Sequence, residues 1–214
     1  MREVDLIIFD FDGTLVDSRL DIVNSVNYVL ERLDLGSRDF DTIVSFIGEG
    51  IEHLLLKSLG EGREDRYEEA YRFYVEYYQK HLLDNSVPYP HVRETLDHFK
   101  SKKMIIISNR LGTSASIMLE RLGLIHHFKD VLGGEDHSCR KPSGCPILKV
   151  LNKLGISKER AIIVGDMDLD IMSGKDAGVL TCAVTYGIGS RESIVKAEPD
   201  FIIDDISRLK EIIN

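Results

Sequence analysis

Short apolar runs recur along this chain, each breaking into polar residues and then into a helical pattern, and this rhythm restricts the architecture sharply. The runs are Leu6–Phe9, Met104–Ile107, Val131–Leu132, Ala161–Val164, Val179–Val184 and Phe201–Ile203. Runs this short, apolar at nearly every position, suit strands buried on both faces. Strands alternating with helices predict an α/β fold, a doubly wound and mostly parallel sheet. In such a sheet the C-terminal strand ends share one edge, and ligands bind there. Polar residues scattered through the sequence can therefore converge on one site.

The first run ends on Asp10-Phe11-Asp12-Gly13-Thr14-Leu15. Side chains alternate along an extended chain, so Asp10 and Asp12 leave the strand pointing the same way. Two carboxylates held this close need a cation, or one must keep its proton. Later strand ends and loops add Ser108-Asn109, Lys141, and Asp166 with Asp170. Four carboxylates, a hydroxyl, an amide and an ammonium suit a phosphate group bridged to a hard divalent metal such as Mg²⁺. Asp168 reads as an acid at a helix start, where the helix dipole favours it.

Residues 18–84 show no strand-type alternation. Ser18 stands where it can cap a helix with apolar positions at Ile22, Val26, Val29, Leu30 and Leu33. Further helical patterns cover 40–47, 51–59 and 63–83, broken by Gly48-Glu49-Gly50 and by Gly60 and Gly62. The row Tyr67, Tyr71, Tyr74, Tyr77 and Tyr78 reads as packing. Val87-Pro88-Tyr89-Pro90 excludes helix and marks the return. The expected division is a core of 1–14 and 88–214 with an all-helical insert of 15–87.

A net charge of −9 over 214 residues opposes binding of nucleic acid through a broad basic face. No apolar run approaches membrane-spanning length, and the first residues lack a signal-peptide layout. Cys139, Cys145 and Cys182 are three cysteines without a CxxC pair. They are expected as reduced thiols in a cytoplasmic protein. Their spacing does not suit zinc. His126-His127 is expected at the surface, and no histidine is assigned a catalytic part.

The string Asp10-Phe11-Asp12-Gly13-Thr14-Leu15 after an apolar strand resembles the first motif of the haloacid dehalogenase superfamily in its phosphatase form. Ser108-Asn109 resembles the second motif, Lys141-Pro142 the third, and Gly165-Asp166 with Asp170 the fourth. The insert, with its Gly48-Glu49-Gly50 loop, is similar to the helical cap of phosphoglycolate phosphatase-like members. The resemblance implies a phosphatase acting on a small phosphorylated metabolite. Asp10 would be the nucleophile and Asp12 the acid and base. Mg²⁺ would be held by Asp10, the Asp12 carbonyl, Asp166 and Asp170. Gly13, Thr14, Ser108, Asn109 and Lys141 would bind phosphate. Gly48, Glu49, Gly50 and Arg110 are candidates for substrate selection, and Arg140 is a second cation that could meet a substrate carboxylate. Haloalkanoate dehalogenases of the superfamily lack the second acid, so Asp12 opposes that branch. A sugar phosphomutase resembling β-phosphoglucomutase, a nucleotidase, a pyrophosphatase and a non-catalytic phospho-ligand binder remain alternatives. Thr14 leans towards hydrolysis, because the mutases usually carry valine there. A receiver-type signalling domain would lack the insert. Arg110, His91, Met167 and the Ser143-Gly144-Cys145-Pro146 run depart from the residues usual in relatives. Monomer and homodimer are equally compatible with the sequence.

Overall fold

The Leu6–Phe9 run forms the strand β1, fully buried, at the middle of a six-stranded sheet. The structure is a computed structural model describing all 214 residues. In chain order the elements are β1, β2 (Val16–Asp17), α1 (Arg19–Arg32), α2 (Phe40–Val44), α3 (Ile51–Leu59), α4 (Tyr67–Lys80), β3 (Val87–Pro88), α5 (Val92–His98) and β4 (Lys103–Ile107). There follow α6 (Gly112–Arg121), β5 (Asp130–Leu132), α7 (Cys145–Leu154), β6 (Ala161–Gly165), α8 (Asp168–Ala177), β7 (Leu180–Val184), α9 (Arg191–Lys196), β8 (Phe201–Ile203) and α10 (Leu209–Ile212). Every pairing in the large sheet is parallel, and the order is β5-β4-β1-β6-β7-β8.

That order places the reversal of chain direction beside β1. From β1 the chain goes to β4 and β5 on one side, then crosses to β6, β7 and β8 on the other. A crevice forms at such a reversal, outside the strand ends. The register keeps the central three strands level, with Phe9 opposite Ile106 and Val164. Alternation sends Leu6, Ile8, Ile105, Ile107 and Ile163 to one face, where Ile147, Val150 and Leu151 of α7 cover them. Each such large apolar side chain contributes about 1.5–3 kcal/mol when fully buried.

The chain divides into two compact units, residues 1–17 with 88–214 and residues 18–87. Residues 15–17 belong to the first unit, not to the insert. Leu15 and Val16 donate their N–H groups back to the Phe11 carbonyl, and the Leu15 carbonyl accepts from Tyr89. The chain is thus folded onto its own Asp-Gly-Thr turn until Asp17.

The second unit is wholly helical. Ser18 precedes α1 without a side-chain cap bond, and the pattern over 63–83 resolves into a 3₁₀ turn at Glu64–Arg66 followed by α4. The tyrosine row packs within the unit: Tyr77 stacks on Tyr28 at 4.1 Å, and Tyr74 on Tyr78 at 5.2 Å. Gly50, at φ 95°, precedes α3, and the Glu49 carboxylate lies 3.6 Å from His53. Asp21 on α1 is 2% exposed and accepts from the Asn85 N–H and amide and from the Ser86 N–H and hydroxyl. One carboxylate thereby closes the first and last turns of this unit on each other. Asp21→Ala leaves the buried Ser86 N–H and hydroxyl without an acceptor, and we expect a loss of about 2 kcal/mol, read from denaturant unfolding.

Two sequence expectations are corrected here. Cys139 and Cys145 are joined in a disulfide, and only Cys182 is a free, buried thiol. The cause is local: the Asp136 carboxylate accepts from Ser138, and its carbonyl accepts from Cys139, curling the loop until the two cysteine Cα atoms are 5.2 Å apart. That spacing lies within the disulfide range. Disulfides are uncommon in reducing compartments, so this bond and the cytoplasmic expectation pull in opposite directions. His126 is exposed, but the His127 side chain is only 6% exposed beside Asp97. No helix is long and apolar enough to cross a membrane.

Candidate active site

Three buried carboxylates meet where β1 and β6 end. Asp10 follows β1, Asp166 follows β6, and Asp170 sits in the first turn of α8. One oxygen from each lies within 4.8 Å of the others. Lys141, 2% exposed, reaches into the cluster and donates to Asp10 Oδ1 at 2.5 Å and Asp170 Oδ1 at 2.6 Å. Asp170 Oδ2 accepts the Met167 N–H at 3.0 Å, which fixes its rotamer against the helix start. Asp166 is fixed at both oxygens, by the Thr14 hydroxyl at 2.8 Å and by the N–H groups of Ile188 at 2.7 Å and Gly189 at 3.3 Å.

The electrostatics follow from this crowding. Burial pushes the Asp10 carboxyl well above its ordinary range; Lys141 opposes the rise, while Asp170 and Asp166 add to it. Burial, then the neighbouring Asp170, raises Asp166 to about 7 against the hydrogen bonds it accepts. Burial works against the Lys141 ammonium, but Asp10 and Asp170 outweigh it and hold the charge more firmly than in a free lysine. Three carboxylates against one ammonium leave two negative charges, and all the donors are hard oxygens. A divalent cation of the Mg²⁺ kind fits both the charge and the donor set.

Beside this cluster the Asp12 side chain turns to a different partner. Arg110 Nε donates to Asp12 Oδ2 at 2.8 Å and Nη2 to Oδ1 at 2.5 Å, a two-pronged pair with side chains 7% and 14% exposed. The guanidinium lies over the Phe11 ring at 5.3 Å. Ser108 is buried, and its Oγ accepts the Arg110 N–H at 3.2 Å. The Asn109 amide grips the Lys141 backbone from both sides, donating to its carbonyl at 2.9 Å and accepting its N–H at 3.1 Å.

A family model described as haloacid dehalogenase-like hydrolase matches residues 7–184. This chain belongs to that family. Among its relatives is a phosphoglycolate phosphatase of Aquifex aeolicus, 37% identical over 98% of this chain and 96% of that protein. Another, from Chromobacterium violaceum and of the same name, is 32% identical over 99% of this chain and 97% of that protein. A crystal structure of a protein from Haemophilus somnus 129PT, described as a predicted phosphoglycolate phosphatase, superposes with a TM-score of 0.93. It is 29% identical and covers 99% of each chain. The chain is a haloacid dehalogenase-like hydrolase of the phosphatase kind.

For this hydrolase, the structure brings Asp10, Lys141, Asp166 and Asp170 together and places Asp12, Ser108, Asn109 and Arg110 along the same edge. Only the first, third and fourth of the carboxylates cluster; the Asp12 side chain stands with Arg110 instead. Three residues expected at the phosphate also brace the site. Asn109 fixes the loop that carries Lys141. The Thr14 hydroxyl is spent on Asp166. The Gly13 N–H is spent on the Val16 carbonyl, and at φ 85° its Cα faces the Asp166 carboxylate so closely that any Cβ would overlap it. Asp168 accepts from the Leu169 N–H at the start of α8, as an acid at a helix N-terminus does. Arg140 lies beside His137 at 3.4 Å in an exposed pair.

Sequence reasoning missed the loop after β7. Tyr186 donates its hydroxyl to the Thr14 carbonyl at 2.8 Å and stacks at a tilt on Tyr89, 4.7 Å away. Burial, with Asp166 next, raises its phenol above the ordinary tyrosine value. Gly187 lets Ile188 and Gly189 turn their N–H groups onto Asp166. The signal was available: Tyr186-Gly187-Ile188-Gly189 also follows an apolar strand, on the same edge. A Cβ on Gly187 would overlap Asp166 and the Gly13 carbonyl. Gly187→Ala is expected to displace the loop and weaken activation by a divalent metal about 10- to 100-fold, read from the metal dependence of turnover.

Proposed function

We propose that this hydrolase removes the phosphoryl group from a small phosphate monoester, phosphoglycolate heading the candidates, through a phosphoaspartate formed on Asp10. The observation that carries the reading is the buried Asp10–Asp166–Asp170 cluster threaded by Lys141 at the ends of adjacent strands. Asp10, the Asp12 carbonyl, Asp166 and Asp170 would hold Mg²⁺, which when bound neutralises charge shared between the carboxylates and the phosphoryl oxygens. A carboxylate oxygen of Asp10 attacks phosphorus, and the ester P–O bond breaks. Asp12 gives its proton to the leaving alkoxide, then takes one from the water that cleaves the Asp10–phosphorus linkage. Lys141 holds Asp10 in place and offsets its charge. Ser108 lies where its hydroxyl can meet a phosphoryl oxygen. The helical unit, with Gly48-Glu49-Gly50, is the proposed cap that selects substrate and excludes water. A small phosphorylated metabolite in the cytoplasm is the partner this reading requires.

The test is phosphate release from a panel of phosphoglycolate, nucleoside monophosphates, sugar phosphates and pyrophosphate, with and without Mg²⁺. Metal-dependent release, fastest from phosphoglycolate, is the expected result. A folded protein that releases phosphate from none of them under any divalent metal overturns the hydrolase reading. Thr14 leans the reading towards hydrolysis because the phosphomutases that share these motifs usually carry valine there.

A further inference from the structure

We propose that Tyr186 is a positioning residue of the cation site: through Thr14 and its own backbone it holds Asp166 in place beside Asp10 and Asp170. This role rests on the phosphatase reading, in which Asp166 is a ligand of the divalent cation.

The donors that hold Asp166 come from two segments far apart in the chain. The Thr14 hydroxyl, in the turn after β1, bonds Oδ1 at 2.8 Å. The N–H groups of Ile188 and Gly189, in the loop after β7, bond Oδ2 at 2.7 Å and 3.3 Å. Tyr186 ties these segments together. Its hydroxyl donates to the Thr14 carbonyl at 2.8 Å, and its backbone leads through Gly187 into Ile188 and Gly189. A closed ring results. It runs from the Thr14 carbonyl to the Tyr186 hydroxyl, along the chain to Ile188, across the Asp166 carboxylate, and back to the Thr14 hydroxyl. Asp166 bridges the ring, with one oxygen bonded to each segment.

The ring has little slack. Thr14 and Asp166 are fully buried. A Cβ on Gly187 would overlap the Asp166 side chain, and one on Gly189 would overlap the Asp166 carbonyl. With backbone this close, a shift of the loop passes directly to the carboxylate. The Tyr186 ring leans on Tyr89 at 4.7 Å, and the Tyr89 N–H donates to the carbonyl of Leu15, the residue after Thr14. Packing as well as hydrogen bonding therefore aims the phenol at the turn. Such bracing has a purpose, because Asp10 and Asp170 within 4.8 Å push an ionised Asp166 out of the cluster. A carboxylate that must swing back on binding holds a cation more weakly than one already fixed in place.

The test titrates Mn²⁺, which favours the same oxygen ligands as Mg²⁺, into the full-length protein without substrate, and counts the free ion by paramagnetic resonance. Tyr186→Phe keeps the ring and its packing and removes only the hydroxyl. It is expected to bind Mn²⁺ about 10-fold more weakly, the lower end for partners of metal ligands, and to melt roughly 2–4 °C lower in chelator. Thr14→Val is expected to lose about as much affinity, and Thr14→Ser, which keeps the hydroxyl, to retain most of it. The double variant, Tyr186→Phe with Thr14→Val, is expected to fall well short of the product of the two losses. Without its hydroxyl, residue 14 no longer passes the hold of the tyrosine on to Asp166. Tyr186→Phe that melts lower but binds Mn²⁺ as wild type does overturns the proposal, since the tyrosine would then serve the fold alone. Losses that multiply in the double variant overturn it too, because Tyr186 would act apart from Thr14. Wild type that binds no Mn²⁺ overturns the proposal together with the metal centre. Wild type that binds Mn²⁺ but releases phosphate from no ester overturns the phosphatase reading alone, because the binding readout needs no substrate.

Discussion

Asp10→Asn is expected to lower phosphate release by about 10⁴-fold or more and, in chelator at pH 8, to raise the melting temperature. The first part follows from the role of the side chain: an amide is a poor nucleophile, and groups that act as a unit lose most of the rate when one is removed. The second part is decided by magnitudes. At an effective dielectric near 20, each neighbouring carboxylate, within 4.8 Å, opposes the Asp10 charge by at least about 3 kcal/mol, and Asp166 and Asp170 both do so. Lys141 at 2.5 Å returns about 7 kcal/mol on the same scale, so attraction and repulsion nearly cancel. Burial then fixes the sign, and it disfavours the charged form. Asparagine keeps the volume and an acceptor for Lys141 while removing the buried charge. A gain of about 2 kcal/mol, roughly 4–8 °C for a chain of this size, is the expected reading by calorimetry or circular dichroism. Asp10→Asn that melts lower than wild type in chelator would show that the Lys141 pair outweighs burial, and the charge accounting of the site would need to be redrawn.

The fold was legible because its strands are unambiguous. Leu6–Phe9, Met104–Ile107 and Ala161–Val164 are apolar at every position, and runs of this length between helical patterns suit the interior of a sheet covered on both faces. Strand ends then point to the site without further information, which is how Asp10, Ser108 and Asp166 could be brought to one edge from positions far apart in the chain. The same rule applied to β7 would have found Tyr186 to Gly189, but that loop carries no charged group to draw attention. Hydrogen-bond economy was not legible. Only coordinates show that the Asn109 amide also bridges the Lys141 backbone and that the Thr14 hydroxyl also bonds Asp166. Arg110 stood out as a candidate for substrate selection and as a departure from the residue usual in relatives; its two-point grip on Asp12 needs coordinates, because nothing local joins positions 98 residues apart. The Cys139–Cys145 bond was hidden for a related reason. Spacing alone does not tell whether a loop curls, and here Asp136 decides it.

In chelator, the stability of this protein is expected to fall as pH rises from about 5 to 8, the reverse of ordinary acid denaturation. Asp166 keeps its proton in the folded chain up to about 7, against an ordinary value of 3.8. Between those values the folded state binds more protons than the unfolded one, so stability decreases with pH. The stabilisation is complete below the ordinary carboxylate value and is lost as pH passes the folded one. Its size is on the order of 4 kcal/mol, and Asp10, raised in the same direction, titrates with Asp166 as one system. About 3 kcal/mol of it is lost between pH 5 and 8, a drop of roughly 6–12 °C in melting temperature. His127 acts oppositely: burial lowers its value, so folding is penalised as pH falls below the ordinary 6.5. Asp166→Asn separates the two, because it should flatten the alkaline fall and leave the histidine slope. Mg²⁺ should flatten it as well, since an ion held by ionised carboxylates competes with their protons and stabilises more at pH 8 than at pH 5. A melting temperature in chelator that is level or rising from pH 5 to 8, and unchanged by Asp166→Asn, would mean that the carboxylates stay ionised in the folded chain without an ion. The cluster would then be a network balanced by Lys141 alone, and its assignment as the metal centre would fall.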